Sequence, residues 1–151
     1  MSEARAADLR ASFAAVPAGD LPDGLVLFDG VCALCSGWVR FVLSRDIERQ
    51  FCFASIQGTY GRALAQRLGL DPDDPATNAV VVDGRVHFKS DSALAVLGRL
   101  PRWRWTRALK ALPTPLRDWA YDRVARNRYT LFGRYDTCMM PSPELRDRFL
   151  D

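Results

Sequence analysis

The spacing of apolar residues predicts the first half of an α/β fold. The apolar run Leu25–Phe28 indicates a strand that is buried on both faces. Behind it, Leu34, Trp38 and Phe41 recur at helical spacing and predict a helix, and the aromatic run 51–55 predicts a second strand. Because a single helix connects the two strands, we expect them to lie parallel, joined by a right-handed crossover.

A second helix, a hairpin and a third helix are predicted next. Thr59 can cap the second helix. Asp83-Gly84 separates the β-branched runs 79–82 and 85–88, and an Asp-Gly pair in that position is a strong sign of a hairpin. Ser90-Asp91-Ser92 offers oxygens for the N-cap of the third helix. The order β-α-β-α-β-β-α predicts an α/β, thioredoxin-like fold with a mixed four-stranded sheet.

We expect three parts along the chain. Residues 1–23 form an N-terminal leader that is poorly structured or a short helix, and residues 24–100 form the thioredoxin-like core. Residues 101–151 form a helical C-terminal extension packed on that core, and the chain length of 151 residues suits one domain with such an appendage. Ser142-Pro143 predicts a last short helix. Its apolar residues that can pack inward are Leu145, Phe149 and Leu150.

The longest helix of the extension is predicted at Thr114-Pro115, an N-cap residue followed by proline at the first helical position. Gly133 ends its pattern. Trp119 and Val124 share one face of this helix. We therefore expect that face to be buried against the core.

Composition indicates a globular protein. Apolar residues make up 48% of the chain, yet no run reaches the roughly 20 apolar residues that a transmembrane helix needs. The apolar stretch 13–16 is too short for the core of a signal peptide. We therefore expect a cytoplasmic protein.

Charge is concentrated in residues 99–134, which hold ten basic groups against Asp118 and Asp122. An Arg-rich solvated face over an ordinary helical cap explains this pattern. A surface for a weakly bound anionic partner explains it too, whether that partner is a lipid membrane, a nucleic acid or an acidic protein. The second alternative draws on the aromatic residues interleaved with the charges, namely Trp103, Trp105, Trp119, Tyr121 and Tyr129.

Two cysteines spaced as Cys-x-x-Cys, Cys32 and Cys35, lie where the first strand gives way to the first helix. The free N–H groups and the dipole at a helix N-terminus favour a thiolate, which is the reactive form of cysteine. This placement predicts that Cys32 is the nucleophile and the more exposed of the two. Cys35 lies one turn further along, where it can act as the resolving cysteine and close a disulfide.

Two other interpretations of these cysteines remain open. They can hold a metal ion or cluster together with Cys138 and perhaps Cys52, or they can be inert residues of the core. His87 lies in the second hairpin strand, on the face opposite Val86 and Phe88, as expected of a solvated strand histidine; the alternative is a proton carrier for the cysteines. In the cytoplasm a Cys-x-x-Cys pair is more often catalytic or metal-binding than a structural disulfide.

Asp29 precedes Cys32 by three residues and has two possible roles. As a carboxylate it opposes the Cys32 thiolate, and as a proton relay it serves Cys35. Alternatively, Asp29-Gly30 simply lets the chain turn from strand to helix. The sequence contains no flavin or nicotinamide motif, so we expect no cofactor and a thiol system as the electron donor. The expected substrates are protein or small-molecule disulfides.

The stretch from Asp29 to Cys35 resembles the signature Asp-x-x-Cys-x-x-Cys of the DCC family, which are small thioredoxin-like thiol-disulfide oxidoreductases. The resemblance continues at Ser90-Asp91, in residues 125–133, at Cys138 and at Pro141. It implies a thioredoxin-like fold, thiol-disulfide exchange, and Asp29, Cys32 and Cys35 as signature residues. Typical thioredoxins place a cis-proline before the third strand, where this chain has Thr77-Asn78.

Overall fold

The computed structural model describes residues 16–17, 19–72, 77–133 and 147–150 of the chain. Its strands are β1 (Val16–Pro17), β2 (Leu25–Phe28), β3 (Cys52–Ser55), β4 (Ala79–Val82), β5 (Arg85–Phe88) and β6 (Phe149–Leu150). Its α-helices are α1 (Ala33–Arg45), α2 (Thr59–Arg67), α3 (Lys89–Leu97), α4 (Thr114–Arg126) and α5 (Arg128–Phe132), and a 3₁₀ helix spans Arg104–Ala111.

One mixed sheet joins these strands in the order β1-β5-β4-β2-β3-β6. The crossover and the hairpin are confirmed, since β2 is parallel to β3 and β4 is antiparallel to both β2 and β5. The four predicted strands are present, and the described residues add two short ones at the edges. Strand β1 pairs with β5, and β6 pairs with β3. Each thereby satisfies backbone groups that an edge strand would leave unpaired.

The prediction of a last helix is wrong for Phe149 and Leu150, which form strand β6. Both residues are extended and pair with Phe53 and Ala54, and the start of the expected helix lies outside the described residues. Beside them, the buried Arg148 pairs with Asp46 and donates from Nη2 to the Phe51 carbonyl at 2.9 Å. This charge-assisted contact over about a hundred residues of chain holds β6 at the sheet edge.

Alternate residues of β2 face two cores, as a strand covered on both faces requires. Leu25 and Leu27 pack with α2 residues such as Leu64, while Val26 and Phe28 pack with residues of α1 and α3. Helices α1 and α3 therefore lie on one face of the sheet and α2 lies on the other. The carboxyl end of β2 delivers the chain directly to the start of α1, where the two cysteines lie.

Helix α3 begins at Lys89, and its N-cap residue is Phe88, which forms no side-chain cap. The expected capping by Ser90-Asp91-Ser92 is therefore wrong. Instead, Ser90 donates to the Asp118 carboxylate of α4, and Asp91 accepts from Arg117 Nη1 at 2.7 Å. The first turn of α3 thus fastens α4 by polar contacts.

The helices after residue 100 differ from prediction in their boundaries and in their exposed face. Pro113 takes the N-cap position of α4, and the chain breaks at Asn127 before continuing as α5. Trp119 is 60% exposed and Val124 is 42% exposed, so the prediction that this face is buried is wrong. The polar side of α4 faces α3 instead. Division of the chain into leader, core and extension stays a prediction.

Among the helices of the described residues, none combines the length and the apolar character that crossing a membrane requires. The cytoplasmic location stays a prediction.

Candidate active site

Cys32 occupies the N-cap position of α1, with extended backbone angles of φ −78° and ψ 125°. Its Sγ accepts the backbone N–H of Cys35 at a distance of 3.3 Å, as the side-chain oxygen of a serine does at an ordinary N-cap. A sulfur in this position meets N–H groups that the helix leaves unpaired. The strand-to-helix junction therefore supplies the electrostatic environment that the sequence predicts for a thiolate.

The two cysteines have opposite pKa shifts. A hydrogen bond with the Cys35 side chain lowers the pKa of Cys32 to about 7, although burial and the charge of Asp29 act in the other direction. The same hydrogen bond and burial raise the pKa of Cys35 far above its ordinary value, and the Cys32 and Asp29 charges add to this effect. At neutral pH, Cys32 thus carries much of the thiolate and Cys35 remains a thiol.

The relative exposure of the two cysteines is the reverse of the prediction. Cys32 is fully buried, whereas Cys35 retains 8% exposure. The chain that leaves α5 contributes to this burial, because the Gly133 carbonyl accepts the Ala33 N–H at 3.2 Å. Gly133 has a φ of +93°, a conformation that glycine adopts readily. The C-terminal helices therefore reach the N-terminus of α1 and help to cover its first thiol.

Asp29 is buried beside the cysteines and has partners from three parts of the chain. Its Oδ1 accepts the Val31 N–H at 3.2 Å and the Gln57 amide at 2.8 Å. Its Oδ2 accepts the Tyr129 hydroxyl in a short hydrogen bond and lies 3.6 Å from Arg128 Nε. These contacts combine a local turn with groups from the segment after β3 and from α5, as expected for a buried charge.

The same turn is held by its glycine. Gly30 donates its N–H to Gln57 Oε1 at 2.8 Å, and its carbonyl accepts the Ser36 hydroxyl at 3.1 Å. Gln57 therefore contacts both Asp29 and Gly30, and Ser55 donates to Gln57 Oε1 at 2.7 Å. These hydrogen bonds anchor both residues of the turn that leads to Cys32.

The opposite wall of the site comes from the chain before β4 and from α4. Tyr121 accepts the Asn78 N–H at 3.1 Å, and burial raises the pKa of its hydroxyl. Thr77 accepts the Lys89 N–H at 2.6 Å, and no peptide bond among the described residues is cis. These groups and Cys35 line a cavity of about 180 Å³. Its other lining residues are mostly apolar and include Leu34, Trp38, Ala93, Val124 and Ala125.

The remaining sequence candidates lie apart from this cavity or outside the described residues. Cys52 is half-buried and pairs with Leu25, at the end of the sheet opposite the Cys-x-x-Cys turn. His87 directs Nε2 to the Val82 carbonyl at 3.3 Å. Cys138 is not among the described residues. Within those residues, no group of three or more His, Cys, Asp and Glu side chains is placed to hold a metal ion.

The sequence predicts no role at the cysteines for Arg128, Tyr129, Gln57 or Tyr121. Tyr129 is 100 residues from Asp29 in the chain, so no local spacing connects them. Burial raises the pKa of the Tyr129 hydroxyl to about 12, and the bond to Asp29 acts in the same direction. The signal that was available is the resemblance of residues 125–133 to the DCC pattern, which contains Arg128 and Tyr129.

Comparison with known proteins identifies the family of this chain. The family model described as DCC1-like thiol-disulfide oxidoreductase matches residues 26–134. A Bacillus subtilis (strain 168) protein named Uncharacterized protein YuxK is 40% identical over 131 residues, covering 86% of this chain and 96% of the relative. The DCC family protein At1g52590, chloroplastic, of Arabidopsis thaliana is 39% identical over 116 residues, covering 76% and 67% respectively.

No solved structure matches the chain. The matched range begins in β2 and runs through Gly133, so it contains Asp29, both cysteines of the turn, and the C-terminal helices that contact Asp29. Chemistry of the thiol-disulfide type is what a cysteine pair with opposite pKa shifts at a helix N-terminus supports. The chain belongs to the DCC1-like thiol-disulfide oxidoreductase family.

Proposed function

We propose that this protein catalyses thiol-disulfide exchange with Cys32 as nucleophile and Cys35 as resolving cysteine. The observation that carries the proposal is the opposite shift of the two pKa values within one hydrogen-bonded pair. Exchange requires a thiolate to attack a disulfide sulfur, and a pKa near the ambient pH is best for an attacking thiol. Cys32 meets this condition and Cys35 does not.

The reaction proceeds in two steps. The Cys32 thiolate attacks one sulfur of the substrate disulfide, which forms a mixed disulfide and releases the other sulfur as a thiolate. Cys35 then loses its proton and attacks Cys32 Sγ, which closes the Cys32–Cys35 disulfide and releases the second substrate thiol. The substrate gains two electrons and the pair loses two. A thiol donor then reduces the Cys32–Cys35 disulfide again.

The order of these steps follows from the coupling between the sulfurs. Before attack, the hydrogen bond to Cys32 and the Cys32 charge both keep Cys35 protonated. Once Cys32 is part of a mixed disulfide it carries no charge, so both influences weaken and the pKa of Cys35 falls. Cys35 therefore becomes a nucleophile only when there is a bond for it to resolve.

Access to Cys32 is part of the proposal because the sulfur is fully buried. Cys35 lines the cavity of about 180 Å³, and Cys32 is hydrogen-bonded to Cys35. We propose that substrate enters through this cavity and reaches Cys32 when the residues around the N-cap move. The apolar lining suits the side chains next to a protein disulfide or the body of a small-molecule disulfide.

For Asp29, the contacts support the turn role more than the relay role. Val31, Gln57 and Tyr129 donate hydrogen bonds to Asp29, Arg128 is an ion-pair partner, and two of the donors hold the Asp29-Gly30 turn in place. We propose that Asp29 is a positioning residue, whose charge also restrains thiolate formation at both cysteines. A cytoplasmic setting completes the proposal, because a dithiol of this kind stays reduced where other thiol systems are present.

Trapping of a mixed disulfide tests the assignment. The Cys35→Ser variant, incubated with a protein disulfide, should accumulate a mixed disulfide on Cys32 that mass spectrometry identifies, because the resolving thiol is absent. The Cys32→Ser variant should trap nothing, and Cys52→Ser should turn over like the unchanged protein, since Cys52 lies at the other end of the sheet. Trapping by Cys32→Ser would show that the roles are reversed.

Two further measurements refine the proposal. A Cys32–Cys35 reduction potential of about −270 mV would support a reductase, and a potential of about −120 mV would support an oxidant. Our proposal is the reductase direction. Stoichiometric zinc that protects both cysteines from alkylation would instead support the metal or cluster alternative with Cys138.

A further inference from the structure

The surface of residues 102–132, called here the C-terminal face, exposes apolar and basic side chains together. Its large apolar residues are between 38% and 65% exposed, and they are Trp105, Leu109, Leu112, Leu116, Trp119, Val124, Leu131 and Phe132. Its exposed basic residues are Arg102, Arg104, Arg107, Lys110, Arg123 and Arg126. Elsewhere in the described residues, Ile47 alone is an exposed large apolar side chain. Clustering of this kind marks an interaction surface.

Acidic groups are absent from the exposed part of this face as described. Asp118 is directed toward α3, where it accepts the Ser90 hydroxyl. Asp122 also points inward and pairs with Lys89 Nζ at 3.0 Å. The acidic residues of α4 therefore pair with α3, and the charged side chains of this face that are exposed are all basic. Such a face attracts an anionic partner.

An apolar groove of about 480 Å³ on this face is lined by residues of α3, of the chain around the end of the 3₁₀ helix, and of α4. Its exposed apolar lining residues include Leu109, Leu112, Leu116 and Trp119. The Arg123 guanidinium lies 5.6 Å from the centre of the Trp119 ring, so a cation lies beside one of the two exposed tryptophans of this face. Apolar and charged groups are thus interleaved on the scale of single side chains.

We propose that the C-terminal face docks the protein on the surface of an anionic lipid bilayer. Tryptophan and leucine side chains enter the boundary between headgroups and acyl chains, and the arginines around them contact anionic headgroups. A nucleic acid fits less well, because exposed leucines neither contact phosphate nor stack on bases. The protein would lie on the membrane, since none of its described helices can cross one.

Docking would place the thiol site next to the lipid. Tyr121 and Val124 line both the groove and the cavity that contains Cys35, so only the thickness of α4 separates them. A bilayer seated on the groove therefore lies close to the entrance that we propose for substrate. Disulfides held at a membrane surface are the substrate class that this arrangement favours. That last consequence rests on the proposed function, whereas the docking itself does not.

Vesicle sedimentation with the full chain tests the proposal. The protein should sediment with vesicles of phosphatidylcholine and phosphatidylglycerol but far less with phosphatidylcholine alone, and high salt should release it. Arg123→Gln with Arg126→Gln should weaken binding about 25-fold, because each basic residue near an anionic surface contributes about fivefold. Leu116→Ser with Trp119→Ser should weaken it about tenfold or more.

Matched controls come from other surfaces of the molecule. Ile47→Ser removes an exposed apolar residue outside the face, and Arg62→Gln with Arg67→Gln removes two charges from α2, on the other side of the sheet. Both controls should bind vesicles like the unchanged protein, and circular dichroism should show that every variant is folded.

The proposal is overturned if the protein does not bind anionic vesicles, or if the face variants bind them as tightly as the controls do. It is also overturned if the protein binds an RNA oligonucleotide but not vesicles. The same holds if the protein does not bind vesicles and instead forms a dimer that the substitutions Leu116→Ser and Trp119→Ser dissociate. Loss of mixed-disulfide trapping in Cys35→Ser would contradict the proposed function and leave vesicle binding untouched, so the two proposals fail separately.

Discussion

Two regions of this protein carry the same kind of amphipathic pattern and use it in opposite ways. In residues 25–100, apolar positions at strand or helix spacing become core, and Phe28 and Val39 have no exposed surface. In the C-terminal face, Leu116 and Trp119 have helical spacing as well, yet both are more than half exposed. An apolar stripe therefore predicts burial only where another element presents a surface to cover it.

The difference lies in how the second region is attached. Helix α4 meets α3 through polar groups, with Arg117 bound to Asp91 and Lys89 paired with Asp122, and it meets the chain before β4 where Tyr121 accepts the Asn78 N–H. Polar contacts of this kind require specific geometry and partial burial on both sides. They orient the helix so that its apolar stripe faces outward. This orientation also brings α5, and with it Tyr129, to Asp29.

The largest expected effect compares one aromatic residue from each region. Phe28→Ala should lower the free energy of unfolding by about 3–5 kcal/mol, because it leaves a cavity in the core beside Phe53 and Phe149. Trp119→Ala should lower it by less than about 1 kcal/mol, because the side chain is mostly exposed. Urea denaturation measures both, and equal losses would show that the C-terminal face is covered in solution.

A second prediction concerns the contact between the two regions at Asp29. Asp29→Asn keeps the turn but replaces an acceptor for Tyr129 and Arg128 with a donor, so it should destabilise the protein by about 1–3 kcal/mol. It should also lower the pKa of Cys32, since the Asp29 charge raises it. Asp20→Asn is the matched control, because its pair with Arg67 is exposed and should contribute little.

A third prediction addresses the polar attachment itself. Arg117→Ala removes bonds to Asp91 and Ser90 from a side chain that is 10% exposed, and should cost about 1–2 kcal/mol. The loss should be local, so amide hydrogen exchange should accelerate in α4 and remain slow in β2. Arg123→Ala, whose residue is exposed on the same helix, serves as the control. Faster exchange throughout the sheet would mean that the two regions unfold as one unit.

The last prediction concerns the pH dependence of stability in the reduced protein. Folding lowers the pKa of Cys32 from 9.0 to about 7, so its contribution is fully present above about pH 9 and is lost as the pH falls through about 7. Folding raises the pKa of Cys35, whose contribution is therefore lost as the pH rises above its unfolded value.

Stability should thus increase from about pH 7 to about pH 9 and decline beyond. Urea midpoints at several pH values measure this profile. The Cys32→Ser variant should lack the increase. An unchanged increase in that variant would assign the titration to another group.

The sequence by itself determined the features that depend on neighbouring residues. Alternation and spacing predicted β2, α1, the Asp83-Gly84 hairpin and the parallel pair, because each results from contacts within a few turns or between adjacent elements. The helix N-terminus at Cys32 was likewise evident from the strand that precedes it. From these local rules came the thioredoxin-like order and the site that we propose for the thiol chemistry.

Tertiary structure alone decided what joins distant parts of the chain. The distant partners of Asp29 are Gln57, Arg128 and Tyr129, Cys32 is more deeply buried than Cys35, and Phe149 belongs to a strand. Each of these depends on which surfaces meet after the chain has collapsed, and side-chain spacing within a single element holds no information about that. The outward face of α4 is the plainest case, because its apolar pattern is the same whether a partner lies within the chain or outside it.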